Sequence, residues 1–139
     1  MTTSFESQPA LKEKNNRYDL VGMVIGCAMK VHTTLGPGFL ESVYQMALVH
    51  ELRNAGFCAD TERRTKVVYD GVVVGEFIAD IVVDEMLVVE LKAIENLCRA
   101  HEVQVVNYLT ATGLDDGLLL NFGRQSLEFR RKFRTRLSP

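Results

Sequence analysis

From Tyr18 onward apolar residues recur at steps of three and four. Tyr18, Val21, Val24 or Ile25, Ala28, Val31 and Leu35 fall on one stripe, the spacing of a helix with one buried face. Gly36-Pro37-Gly38 ends it. A second stripe of Leu40, Val43, Tyr44, Ala47, Leu48 and Leu52 predicts another helix, capped by Gly56. The pattern then becomes strand-like. Arg64 to Tyr69 leads into Asp70-Gly71, a tight-hairpin dipeptide, and Val72 to Val83 and Leu87 to Leu91 are β-branched runs. Glu102 to Thr112 returns to helical spacing and stops at Gly113, and Gly117 to Phe122 reads as a short buried strand. Leu127, Phe129 and Phe133 alternate with Glu128, Arg130, Lys132 and Arg134, as in a half-exposed edge strand. Residues 1–16 carry no such period and read as a disordered lead-in to one domain over residues 17–139. The expected order is helix, helix, three strands, helix, strand, strand: an α/β domain around a central mixed sheet.

Composition narrows the class. The chain has 139 residues, 47% hydrophobic and 24% charged, with a mean hydropathy of +0.02. These values fit one soluble domain and exclude a wholly disordered chain. Cys27, Cys58 and Cys98 form no CxxC pair, so zinc-ribbon and disulfide scaffolds are excluded and reduced, mostly buried thiols are expected. Met1 to Asn16 has no apolar core of a signal peptide. Val21 to Met29 is broken by Gly22 and Gly26 and is too short to span a bilayer. A cytoplasmic protein is the expectation. The net charge of −2 and pI of about 5.9 argue against a non-specific nucleic-acid coat. Charge is nevertheless uneven. Residues 124–139 hold Arg124, Arg130, Arg131, Lys132, Arg134 and Arg136 against Glu128 alone. A solvated strand face fits that run, and so does a phosphate-facing edge made by Arg130, Lys132 and Arg134.

Two acids sit where acids are expensive. Asp80 lies within Phe77-Ile78-Ala79-Asp80-Ile81-Val82-Val83, and Glu90 within Leu87-Val88-Val89-Glu90-Leu91. A carboxylate in such a run must be paired or bound to a cation. If Asp84-Glu85-Met86 is a three-residue loop, Val83 faces Leu87 and Asp80 faces Glu90 on one side of the sheet. Lys92, two residues on, shares that side. A loop one residue shorter would move Asp80 out of register. Two bare carboxylates ~4–5 Å apart repel by a few kcal/mol at an effective dielectric near ~20. A hard divalent cation bound by oxygen would reverse that cost. A buried ion pair with Lys92 would also answer it, and these three residues leave both readings open.

Asp80 followed by Glu90-Leu91-Lys92 resembles the D…(D/E)xK signature of the PD-(D/E)xK nuclease superfamily. Gly38-Phe39-Leu40-Glu41-Ser42-Val43-Tyr44 matches the motif of the GxxExxY branch, and Gln104-Val105-Val106-Asn107-Tyr108 resembles the QxxxY motif of RecB-like nucleases. Leu35-Gly36-Pro37-Gly38 and Leu120-Asn121-Phe122-Gly123 also look like segments of this family. The resemblance runs from about Tyr18 to about Phe133. It implies a restriction-endonuclease-like core of helix, three strands, helix and strand, extended by an N-terminal helix and a C-terminal edge strand. It implies a nuclease using Mg²⁺ or Mn²⁺, with DNA before RNA as partner and a homodimer allowed. Asp80, Glu90 and the Leu91 carbonyl would hold the metal, Glu41 would be a further ligand or orient its water, and Lys92 would position or deprotonate the attacking water. Gln104 and Tyr108, four apart on one helix, would hydrogen-bond the site or the phosphates, though Tyr108 also suits a core tyrosine. Tyr44 suits a core brace for Glu41. His32 and His101 suit structural roles, His32 as a helix cap and His101 also as a candidate to line the cleft. The alternative is a non-catalytic nucleic-acid-binding or assembly module on the same fold, which the low pI favours.

Overall fold

The computed structural model describes residues 17–135, with side chains described from Asp19 onward. The expected lead-in, residues 1–16, and Arg136 lie outside the described residues. Helices α1 (Arg17–Leu35) and α2 (Glu41–Asn54) are followed by β1 (Ala59–Tyr69), β2 (Val72–Val83), β3 (Leu87–Lys92), α3 (Arg99–Thr112), β4 (Asp116–Asn121) and β5 (Glu128–Phe133). The five strands form one sheet in chain order. Neighbours are antiparallel except β3 and β4, which are parallel. A parallel pair needs a crossover, and α3 supplies it. The expected mixed α/β architecture is the one observed.

Each face of the sheet has its own core. Val24, Ala28 and Val31 of α1 and Tyr44, Leu48 and Leu52 of α2 pack on Ile81, Val83, Val89, Leu91, Leu118 and Leu120. On the opposite face Tyr108 and Leu109 of α3 pack with Ala79, Val82 and Val88. α3 runs close over β4: a Cβ on Gly117 would meet Val105 Cγ1 at 2.6 Å, so only glycine allows this approach. Among the described residues no helix is long and apolar enough to cross a membrane.

Turn chemistry explains both hairpins. Asp70 and Gly71 take left-handed φ values of 52° and 77°, as a two-residue turn of this type requires. The loop Asp84-Glu85-Met86 is three residues long, with Val83 opposite Leu87, Val82 opposite Val88 and Ile81 opposite Val89. It is held by Asp84 Oδ1, which accepts the Cys58 N–H at 2.8 Å, and by the Asp84 N–H, which donates to the Cys58 carbonyl at 2.9 Å.

Some boundaries depart from the expected ones. Leu40 does not join the buried stripe of α2. It is the extended N-cap residue and is 77% exposed, and Val43 is exposed as well. β1 starts at Ala59 rather than Arg64, because Asp60 to Arg64 carry polar side chains on an exposed edge. α3 starts one turn early at Arg99, where His101 Nδ1 accepts the Cys98 N–H at 3.0 Å. The thiols are not mostly buried: Cys58 and Cys98 are exposed, on a strand-edge approach and at a helix cap, and Cys27 is half-buried.

Candidate active site

The β1–β2 ladder is interrupted at Asp80. Pairing runs through Thr61↔Ile81, omits Glu62 and Asp80, and resumes at Arg63↔Ala79. Glu62 has a left-handed φ of 52°, unusual for a residue with a Cβ. Side-chain alternation slips here too. Ala79 and Val82, three apart, share the α3 face, while Ile81 and Val83 face α1 and α2. The β2–β3 pairing ends at Ile81↔Val89, one step short of Asp80 and Glu90. Beyond it the two carboxylates accept backbone donors in place of ladder bonds. Glu90 Oε1 accepts the Asp80 N–H at 3.2 Å, and Asp80 Oδ2 accepts the Leu91 N–H at 2.8 Å. The Lys92 carbonyl turns to β4 and accepts the Phe122 N–H at 2.8 Å. Alternation therefore turns the Leu91 peptide groups toward β2.

The electrostatics match this geometry. Burial pushes the Glu90 carboxyl up to about 8, and the neighbouring Asp80 charge adds to the rise. Asp80 is raised by burial first and by the Glu62 charge, against the Leu91 N–H and the Lys92 charge. Glu41, at the first turn of α2, is raised by burial and by Asp80, with Lys92 opposing. The structure thus brings Glu41, Asp80, Glu90 and Lys92 within mutual electrostatic reach. Among the described residues no ion pair joins Lys92 to any of these acids. The buried ion-pair reading therefore lacks its contact.

The donors are all oxygens, the chemistry of a Mg²⁺ or Mn²⁺ site. Among the described residues no group of three His, Cys, Asp or Glu side chains is placed to hold a metal by itself. Such a cation needs no cage of three side chains, because it usually keeps several waters and takes one or two carboxylates. Asp80, Glu90 and the Leu91 carbonyl fit that requirement.

The other expected site residues are engaged differently from what the resemblance implies. Tyr108 is buried, and its hydroxyl is engaged with Thr65 Oγ1 at 3.0 Å and the Arg63 carbonyl at 3.4 Å. It fastens α3 to β1 on the sheet face that carries Ala79 and Val88, and its hydroxyl is taken up by these bonds. Gln104 is exposed at the rim of that helix, beside Phe77. Arg130, Lys132 and Arg134 are not a row of free cations. Arg130 pairs with Glu128 at 3.1 Å, Lys132 with Glu102 of α3 at 3.1 Å, and Arg134, past the end of β5, with Asp115 at 2.8 Å. The edge expected to face phosphates is made of internal ion pairs.

Tyr44 is the core residue expected, but its bonds hold the Gly36–Phe39 turn rather than Glu41. It is buried, stacks on Phe122 at 4.6 Å, donates to the Gly36 carbonyl at 2.5 Å and accepts the Phe39 N–H at 3.1 Å. His32 is structural but not a cap: its Nε2 meets the Arg124 carbonyl at 2.7 Å and ties α1 to the loop after β4.

Three residues were missed. Gln45 donates to the Asp80 carbonyl at 2.9 Å and fixes α2 to the break in β2; its position one helical turn after Glu41 was the available signal. Glu62 faces Asp80 through a backbone bend that no residue type there announces. Asn121 is fully buried at the end of β4. It accepts the Ile94 N–H at 3.0 Å and donates to the Ile94 carbonyl at 2.9 Å, holding the chain that leaves Lys92.

Residues 18–132 match the family model described as the PD-(D/E)XK nuclease superfamily. No curated protein matches the sequence significantly. Among solved structures, one titled "Crystal structure of SSO0001" is similar with a TM-score of 0.54 at 20% identity. The likeness covers 68% of this chain and 50% of that one, so this chain spans about half of its length. At that identity the likeness concerns the fold.

Proposed function

The chain belongs to the PD-(D/E)XK nuclease superfamily, and from that premise we propose that it is a metal-dependent nuclease hydrolysing phosphodiester bonds, with DNA before RNA as substrate. The observation that carries this reading is the meeting of Asp80 and Glu90 at the end of the β2–β3 ladder, both raised by burial, beside a Lys92 that forms an ion pair with neither. Asp80, Glu90 and the Leu91 carbonyl would hold Mg²⁺ or Mn²⁺. When bound, such a cation polarises the phosphoryl oxygen and lowers the pKa of its water. Lys92 has donors only; it orients the attacking water and offsets charge growing on the phosphate. Glu41 accepts a hydrogen bond from water at the first turn of α2, and Gln45 keeps that helix in register with Asp80. Gln104 contacts the bound strand from the α3 rim. The GxxExxY branch and a cytoplasmic location belong to the same proposal.

The test is incubation of the full chain with labelled single- and double-stranded DNA and Mn²⁺, beside Lys92→Met and Asp80→Asn. Cleavage is expected from the parent and from neither variant. Cleavage undiminished in both, or no cleavage together with no Mn²⁺-induced stabilisation, would reject the reading. A second reading, a non-catalytic module that assembles as a homodimer, is favoured by the end of the β1–β2 hairpin. There Val68, Tyr69, Val72, Val73 and Val74 are each more than half exposed, an apolar patch of the kind that marks interfaces. Equilibrium sedimentation distinguishes a dimer from a monomer.

A further inference from the structure

Two clefts of about 630 Å³ each lie between the β1–β2 hairpin and α3. Phe77 and Asn107 line both, so they form one path along the helix. From Arg99 to Ala111 that path is about 18 Å long. Its direction follows from the crossover. Gly117, early in β4, lies under Val105 and Leu109, and β3 is parallel to β4 in register, Glu90 with Leu119 and Lys92 with Asn121. The Arg99 end of α3 therefore lies toward the end of the sheet that carries Glu90 and Lys92.

The charge of this path is distinctive. Arg124, Arg130, Arg131, Lys132 and Arg134 all have acidic partners. Among the described residues the cations without an ion pair are Arg53, which donates to the Ala59 carbonyl, Lys66, Lys92 and Arg99. Lys66 lines one cleft and Arg99 the other, and Lys92 is at the site. Gln104 and Asn107 face the path with no hydrogen-bond partner among the described residues. Phe77 is half-buried, edge-on to Tyr108 at 6.2 Å.

We propose that this cleft binds single-stranded nucleic acid and leads its sugar–phosphate chain to the Asp80–Glu90 site, an inference that rests on the nuclease reading. Phe77 is the stacking surface for a base, Lys66 and Arg99 meet phosphates, and the Gln104 and Asn107 amides meet base edges. Aromatic stacking inside a cationic groove is the chemistry of single-strand recognition. A duplex keeps its base faces stacked inside and offers only phosphates and groove edges. It would need a broad face of free cations, and the β5 strip does not supply one.

The test measures binding without divalent metal, so that cleavage does not enter. Probes are a labelled oligo(dT), an oligo(U) of equal length and a DNA duplex of equal length. At least one single strand is expected to bind roughly tenfold or more tighter than the duplex. The sugar preference between the two identifies the substrate as DNA or RNA. Phe77→Leu is expected to weaken single-strand binding roughly tenfold. Because Phe77 also touches the core, the surface variant Lys66→Gln/Arg99→Gln is the second arm. It is expected to flatten the log–log salt slope by about 1.4 units, two single-strand phosphate contacts. Equal affinity for duplex and single strand, or an unchanged slope in that variant, overturns the proposal. So does dimerisation lost in Phe77→Leu with no oligonucleotide bound, which assigns the cleft to a second copy. Cleft-dependent binding without Mn²⁺-dependent cleavage supports the cleft and removes the nuclease reading; cleavage indifferent to both cleft variants does the reverse.

Discussion

Two charged regions of this domain behave in opposite ways. The β5 strip is dense in charge, yet each of Arg130, Lys132 and Arg134 has an acid within 3.1 Å. The Asp80–Glu90–Lys92 group is sparse and half-buried, yet among the described residues no ion pair neutralises Lys92 within it. In the first region each cation is neutralised by its own partly exposed acid, and such pairs contribute little to stability. Burial magnifies the second, where each charge acts on the others through a low-dielectric wall. Charge density along the chain therefore ranks the two in the wrong order for chemistry. What matters is whether the fold neutralises the charge locally.

The largest effect expected from this contrast is at Lys92. Lys92→Met keeps most of the stem packing and removes the ammonium. Cleavage is expected to fall roughly 10²–10⁴-fold, with the fold intact and Mn²⁺ still raising the melting temperature. In Asp80→Asn the Mn²⁺-induced rise is expected to vanish. An ion pair would instead make Lys92→Met lose ~3–5 kcal/mol of stability. One thermal melt with and without Mn²⁺ distinguishes these results.

Much of this was legible because the signals were local. Asp70-Gly71 announces its own turn, and a three-residue loop at Asp84 to Met86 sets Asp80 against Glu90 by counting. The break in the ladder was not legible. It comes from a positive φ at Glu62 and from side chains replacing backbone partners, and a period-two argument has no place for either. The partners of β5 were equally hidden. Lys132 meets Glu102 only because α3 crosses over β4, and thirty residues of chain separate the two. Tyr108 and Gln104 share a motif but not a surroundings, since a helix four residues on has turned slightly past one full turn and the sheet covers only one side.

Asn121 tests whether the site depends on its frame. Asn121→Ala removes both bonds to the Ile94 backbone and leaves a buried N–H and carbonyl unmatched, which costs about 1–3 kcal/mol for each group that finds no water. A melting temperature lowered by several degrees is expected, with cleavage lowered as well because Lys92 is two residues from Ile94. Stability lost with cleavage intact would show that the Lys92 end of β3 is held without this anchor.

Acidity offers a milder probe of the same region. Glu90 in the folded protein holds its proton up to about 8, and in the unfolded chain it titrates in the ordinary carboxyl range. The folded state therefore binds more protons between those limits. The stability from this group is full below the ordinary range and is lost as pH rises toward 8, at no more than about 1.4 kcal/mol per pH unit for one proton. The metal-free protein is expected to melt progressively lower from about pH 5 to about pH 8. Glu90→Gln is expected to flatten that stretch. An equally steep decline in the variant would assign the titration to another group.

The smallest effect is expected where the sequence is most basic. If Arg130, Lys132 and Arg134 faced phosphates, replacing all three with Gln would flatten the log–log salt dependence of single-strand binding by about two units, and of duplex binding by nearly three. Their side chains are instead directed at Glu128, Glu102 and Asp115. An approaching phosphate would have to displace a carboxylate already in place. The triple variant is therefore expected to change the slope by less than about one unit and to lose only about 0.2–1 kcal/mol for each of these partly exposed pairs. Its measured slope, set beside that of Lys66→Gln/Arg99→Gln, decides the comparison. A drop of two units or more in the β5 variant would mean that these pairs open toward nucleic acid, and that the strip and the site form one binding surface rather than two regions of opposite character.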